Sequence, residues 1–187
     1  MFLILLSGLT TILLNGFHAS LAFCFFLGMI GFAISEYFTH RFVFHQKAPK
    51  NKFLLKLMKR LHYDHHKYPN DLKLLFLPLW YSLPNFLAFA ALFYAVHHDL
   101  MDTVAFGLGL MGMLLLYEWK HYIAHRPLIP GGRFGRWVKK VHLLHHFKNE
   151  NYWFGVSTPF LDYAFGTFKD EKQVKTSKTV KNIEKRA

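Results

Sequence analysis

His62-Tyr63-Asp64-His65-His66 is the stretch on which the reading of this chain turns, and its pattern returns as His142-Leu143-Leu144-His145-His146. Both run H-x-x-H-H. On a helix, residues three and four apart share a face, so each stretch is expected to present three imidazoles as a patch. Two pairs flank these triplets. His121 and His125 are spaced i, i+4 and share a helical face, whereas His40 and His45 are spaced i, i+5, which predicts a helix end or a bend there. Ten of the 13 histidines fall in these four clusters. One ion cannot hold so many imidazoles, but they suit two, and imidazole is a favoured ligand of zinc and iron. The remaining three, His18, His97 and His98, are read as structural.

The composition says where such a site would lie. Over 187 residues, enough for one domain, 52% are hydrophobic and 21 are Phe, yet the net charge is +12. A soluble globule does not combine these; a membrane protein with its charges on one side does. Nucleic-acid binding, the usual alternative for a basic chain, lacks any basic run interleaved with stacking or groove-reading residues, so no nucleic-acid partner is expected. The single cysteine, Cys24, sits in an apolar run and reads as a small buried hydrophobe.

In chain order, Phe2 to Tyr37 is apolar and too long for one span of about 20 residues. Asn15-Gly16 breaks it into a short helix, Phe2–Leu14, and a second, Phe17–Phe38. With no basic residues ahead of it and no cleavage site, the segment reads as retained rather than as a signal peptide. Gly28 and Gly31 are suited to close helix approach. From Thr39 to Lys73 the chain turns basic, and 53–66 alternates apolar and basic residues as an amphipathic surface helix, stopped by the turn at Tyr68-Pro69-Asn70-Asp71. Leu74–Val96 is a third span, kinked by Pro78 and Pro84. After a turn at His97-His98-Asp99, a fourth span containing Gly107, Gly109 and Gly112 runs on through Glu118 to His125. A loop, a second basic helix over 133–149 and an aromatic segment, 154–168, complete a domain of residues 1–168. The Lys-rich stretch 169–187 reads as a disordered tail. The whole is an all-α integral membrane bundle of about four transmembrane helices with a histidine-rich helical cap. All 23 Lys and Arg lie in 39–73 and 120–187, on one side of such a bundle. The positive-inside rule then places the N-terminus, the cap and the C-terminus in the cytoplasm.

A site of imidazole alone, at a membrane surface, suits a lipid substrate. Cutting an unactivated C–H bond demands an oxidant that side chains cannot supply, so a redox metal with dioxygen is expected. Asp64, Glu118 and Asp162 are candidates to orient the imidazoles. Tyr117, Trp153 and Phe154 are candidates to line an acyl tunnel, with plain packing an equal reading.

The series HRFVFH from His40, HYDHH from His62, HYIAH from His121 and HLLHH from His142 resembles the integral-membrane fatty acid hydroxylase superfamily. Within it, HLLHHFKNENYWFGVSTPFLDYAFGTF is similar to the fatty acid 2-hydroxylases of sphingolipid acyl chains. The resemblance, over residues 36–168, implies two iron ions, dioxygen and hydroxylation at C2 of a fatty acid or ceramide acyl group. The ligands it implies are His40, His45, His62, His65, His66, His121, His125, His142, His145 and His146. Sterol or carotenoid hydroxylation, or desaturation, shares such clusters and is the alternative; a non-enzymatic membrane metal-binding protein is a more distant one. Many eukaryotic members carry a fused cytochrome b5 domain that these residues do not include. Electrons are therefore expected from a separate cytochrome b5, or from ferredoxin with its reductase. Glu118 stands where family members often have Asp. Purified protein is expected to carry zinc, which such sites bind more tightly than Fe²⁺.

Overall fold

The computed structural model describes residues 2–16 and 18–186, with only the backbone of residues 2–5 and 15. The described residues are helical and turn structure without strands. They form two compact units, one of residues 1–34 and 78–116, the other of residues 35–77 and 117–187.

The first unit contains α1 (Phe2–Asn15), most of α2 (Ala19–Phe38), α6 (Leu79–His97) and the first part of α7 (Leu100–His125). The break after α1 falls where Asn15-Gly16 predicts it: Gly16 has φ 90, a left-handed conformation that side chains resist. Phe17, read as the start of the next helix, lies outside the described residues. Three stretches are long and apolar enough to cross a membrane: Ala19–Phe44, Leu72–His97 and Leu100–His125. α1 is not among them, because its 14 residues rise only about 21 Å against a hydrocarbon core of about 30 Å. α2 and α7 meet backbone to backbone. A Cβ on Gly28 would lie 2.1 Å from the Phe106 carbonyl oxygen, and one on Gly109 would lie 1.9 Å from that of Phe25. Gly31 and Gly112, also read as contact glycines, have ordinary van der Waals room, and Gly107 faces open space.

Within the Leu72–His97 stretch Pro78 interrupts the helix rather than kinking it. It precedes α6 as its cap, where a missing N–H costs nothing, and it separates α6 from the short α5 (Leu72–Leu75). Pro84 alone lies inside the helix.

The second unit contains the histidine clusters and differs from expectation in three ways. The His40/His45 segment is the expected helix end, but it is reached through an element not foreseen: α2 runs directly into a π-helical stretch, Thr39–Phe44, which His45 caps. The wider i→i+5 turn brings residues five apart onto one face, which is the spacing of this pair. The amphipathic helix expected over 53–66 is α3 (Lys52–Met58), a second π-helical stretch (Lys59–Tyr63) and α4 (Asp64–Lys67). The third difference is the tail. The segment read as disordered packs, with Val180 5% and Ile183 1% exposed. Its anchor is Glu150, a fully buried carboxylate that accepts hydrogen bonds from Ser177 Oγ at 3.0 Å and Thr179 Oγ1 at 2.5 Å. α8 (Gly132–Phe147) and α9 (Phe160–Ala164) complete the unit.

Candidate metal centre

All ten cluster histidines are buried, none more than 7% exposed. They form two groups of five: His40, His45, His62, His66 and His145 in one, His65, His121, His125, His142 and His146 in the other. Within each group one ring nitrogen per residue lies within 4.8 Å of all the others. The triplets are therefore not patches. Each is divided: His62 and His66 join the first group and His65 the second, while His145 joins the first and His142 and His146 the second. The groups adjoin, since the His66 and His146 rings stack with centroids 4.2 Å apart.

The first group shows what it is built to hold. The Nδ1 atoms of His40, His66 and His145 donate to the carbonyls of Phe154 (2.5 Å), Val180 (3.0 Å) and Tyr152 (2.7 Å). A carbonyl only accepts, so each Nδ1 bears the proton and each Nε2 offers a bare lone pair. Those Nε2 atoms face other Nε2 atoms. His62 Nε2 is 3.2 Å from His40, 2.8 Å from His45 and 3.0 Å from His66, and His45 Nε2 is 3.1 Å from His145. With three rings fixed as acceptors, only His45 and His62 can supply a proton, too few to bridge all these pairs. Further protonation is no remedy. Burial, before any other cause, holds His45, His62 and His145 well below the usual imidazole range and pushes His66 down to about 3. Neutral lone pairs converging at these distances fit a cation, and a donor set of imidazoles alone fits a transition metal.

The second group repeats the convergence with less support. His121 Nε2 is 2.7 Å from His65 Nε2, and His125 Nε2 is 2.9 Å from His142 Nε2. Burial again lowers His65, His142 and His146 well below the usual range. Only His121 has a carbonyl partner, Leu75 at 2.9 Å. The Nδ1 atoms of His65, His125, His142 and His146 are buried without a hydrogen-bond partner, as is His146 Nε2.

The polar neighbours act through the backbone. Asp162 does not touch an imidazole. Its carboxylate accepts from the Phe154 and Gly155 N–H groups, both at 2.8 Å, and from Thr167 Oγ1 at 2.6 Å. It thereby fixes the loop whose Phe154 carbonyl holds His40. Glu118 likewise accepts from Leu77 N at 3.2 Å, two residues beyond the Leu75 carbonyl that holds His121. Asp64 makes no hydrogen bond to any of the ten rings. Glu36, which the sequence reading passed over, accepts from Val156 N and Ser157 N at 3.0 and 3.2 Å. Trp153 packs rather than lines a tunnel: it is fully buried, and its indole donates to the Lys169 carbonyl. Its φ of 58 turns the chain so that the carbonyls on either side, Tyr152 and Phe154, both reach imidazoles. Phe154 lies against the site, with its ring 5.3 to 5.7 Å from those of His40, His45 and His145. The Tyr117 ring lies tilted against that of His121, with centroids 5.6 Å apart. The tail contributes twice more, through the Val180 carbonyl and through Arg186, whose guanidinium donates to the His45 carbonyl at 2.6 Å.

Comparison with known proteins shows the family. The fatty acid hydroxylase family model matches residues 25–167, and the chain belongs to that family. It is 36% identical over 152 residues to the fatty acid 2-hydroxylase of Mus musculus, a match covering 79% of this chain and 40% of that protein. It is 33% identical over 162 residues to the ceramide very long chain fatty acid hydroxylase SCS7 of Saccharomyces cerevisiae, covering 83% of this chain and 40% of that one. The chain thus spans about 40% of the length of these relatives. Among solved structures, full-length scs7p, with only its hydroxylase domain visible, superposes with a TM-score of 0.82 at 28% identity, covering 93% of this chain and 66% of that one.

Proposed function

We propose that this protein is a membrane-bound oxygenase that places a hydroxyl on C2 of a lipid acyl chain, with two iron ions held by the ten histidines. The observation that carries the proposal is the pair of adjoining, buried five-imidazole groups in a chain of the fatty acid hydroxylase family. Bound iron would supply the oxidising chemistry with dioxygen that no side chain offers. One O₂, two electrons and two protons convert a C–H group to C–OH with release of one water, so an external donor is required, such as cytochrome b5 or ferredoxin with its reductase.

The chain's own part is to hold and shield. The carbonyls of Phe154, Val180, Tyr152 and Leu75 fix four imidazole tautomers with Nε2 inward, burial keeps the rings neutral and available, and the packed shell excludes water. The apolar helices bring an acyl substrate to the membrane surface. The topology that fits is a bundle of up to four spans, with the histidine cap and C-terminus in the cytoplasm beside every Lys and Arg. Those two placements do not depend on α1. The N-terminus is cytoplasmic as well if α1 crosses, which its length permits only in a locally thinned bilayer.

The test is lipid analysis of a host expressing the protein or its His145→Ala variant. New 2-hydroxyacyl lipids that vanish with the variant support the reading. Unchanged acyl chains with altered sterols or carotenoids would replace the substrate, and no product of any class with metal-loaded protein and a reducing partner would reject an oxygenase.

A further inference from the structure

A different donor cluster lies in the first unit, whereas the ten histidines belong to the second. Cys24 in the second turn of α2, His97 at the end of α6 and Asp102 in the first turn of α7 bring a sulfur, an imidazole nitrogen and a carboxylate oxygen within 4.8 Å of one another. Read in sequence, Cys24 is a small apolar filler and His97 a turn residue; only the fold joins them.

The local geometry frees each group for this role. His98, at φ 60, closes α6 sharply and leaves His97 against the start of α7. The Phe93 ring, 5.1 Å from the imidazole, flanks it. Asp99 caps α7, its Oδ1 accepting from Asp102 N at 2.8 Å. The Asp102 carboxylate turns instead to His97, with Oδ2 2.6 Å from Nε2. Cys24 is 2% and Asp102 7% exposed, while the His97 side chain is 42% exposed and provides a way in from solvent. A buried carboxylate beside a buried thiol, balanced by one half-exposed imidazole, is a costly arrangement by itself. A divalent cation among sulfur, nitrogen and oxygen donors relieves that cost, and a mixed donor set of this kind suits zinc.

We propose that Cys24, His97 and Asp102 form a three-ligand site for a zinc-class divalent cation, separate from the histidine groups, which staples the ends of α2, α6 and α7. Binding exchanges the S–H bond for a sulfur–metal bond, and the thiol proton passes to solvent. His97 binds as neutral imidazole through Nε2 in place of its bond to Asp102, and water completes the fourth position. No electrons are transferred.

The chain's single cysteine makes the test specific. Full-length protein in detergent is titrated with Co²⁺ and followed by the near-ultraviolet thiolate-to-cobalt charge-transfer band, which cobalt on imidazole does not give. The expected result is a band saturating at one ion per chain and bleached by Zn²⁺. It should be absent in Cys24→Ala, shifted to about ten-fold weaker binding or worse in His97→Ala, and retained in His145→Ala. Wild-type protein showing no band at saturating Co²⁺ would overturn the proposal without reference to any variant. A band unmoved by His97→Ala would overturn it too, by reducing the site to a bare thiol.

Discussion

The two histidine groups hold equal numbers of imidazoles but are supported very differently. The first has three of its five tautomers fixed by carbonyls, from Tyr152, Phe154 and Val180, and a fourth member, His45, with Arg186 on its own carbonyl. The second has one ring so fixed, His121. On the proposed function, the ligands of the first group are largely pre-organised before any metal arrives, whereas all of the second but His121 must choose their tautomers on binding. A carbonyl that fixes a ligand tautomer is worth about ten- to a hundred-fold in metal affinity. The two groups should therefore be unequal sites.

The largest expected effects come from the ligands. His145→Ala and His142→Ala should each abolish hydroxylation and each remove one bound metal, from the first and second group respectively. A variant that kept both ions would show that its ring is not a ligand. Next, a chelator should strip the wild-type protein in two phases about ten- to a hundred-fold apart in rate, the second group emptying first. His142→Ala should retain only the slow phase and His145→Ala only the fast one; a single phase in the wild type would contradict the inequality.

Removing residues 177–187 should collapse that difference, because it takes away the Val180 carbonyl and Arg186 together. The slow phase is expected to quicken by about ten-fold, with the fast phase unchanged. Arg186→Ala should give part of this effect, since it leaves Val180 in place. Acid should act on both groups in metal-free protein. Folded rings such as His66, pushed down to about 3, stay neutral where the unfolded chain protonates, near 6.5. The unfolded state then binds more protons between these values, so stability falls as pH falls through that window. Thermal melts of metal-free protein between pH 7 and 5 should show a declining Tm; a flat or rising Tm would contradict burial of neutral rings.

Much of this was legible in the sequence, and what was not has physical causes. The long apolar runs, the break at Asn15-Gly16 and the four histidine clusters can be read directly, because hydropathy and local spacing carry them. The division of each triplet between groups cannot. In the first triplet it goes with the π-helical stretch Lys59–Tyr63, whose register is set by packing and not by residue type; the second triplet lies on the regular helix α8 and is divided by the neighbours its rings meet. The orienting partners were missed because they are backbone carbonyls, which any residue could provide. Side-chain reading found Asp162 and Glu118, but these act one step back by holding the loops that offer the carbonyls. The tail was misread because its Lys-rich composition outweighs two apolar residues, Val180 and Ile183, and its anchor, Glu150, lies far back in the chain. Trp153 shows the same limit: an aromatic near a site suggests substrate contact, while its left-handed backbone, the feature that matters, has no sequence signature.

Metal stoichiometry tests the central claim most directly. Elemental analysis of purified, full-length Cys24→Ala protein, which leaves only the histidine groups to bind, should give two transition-metal ions per chain, falling to one in either the His145→Ala or the His142→Ala derivative. One ion or none in the parent protein, after incubation with excess Fe²⁺ or Zn²⁺, would contradict it.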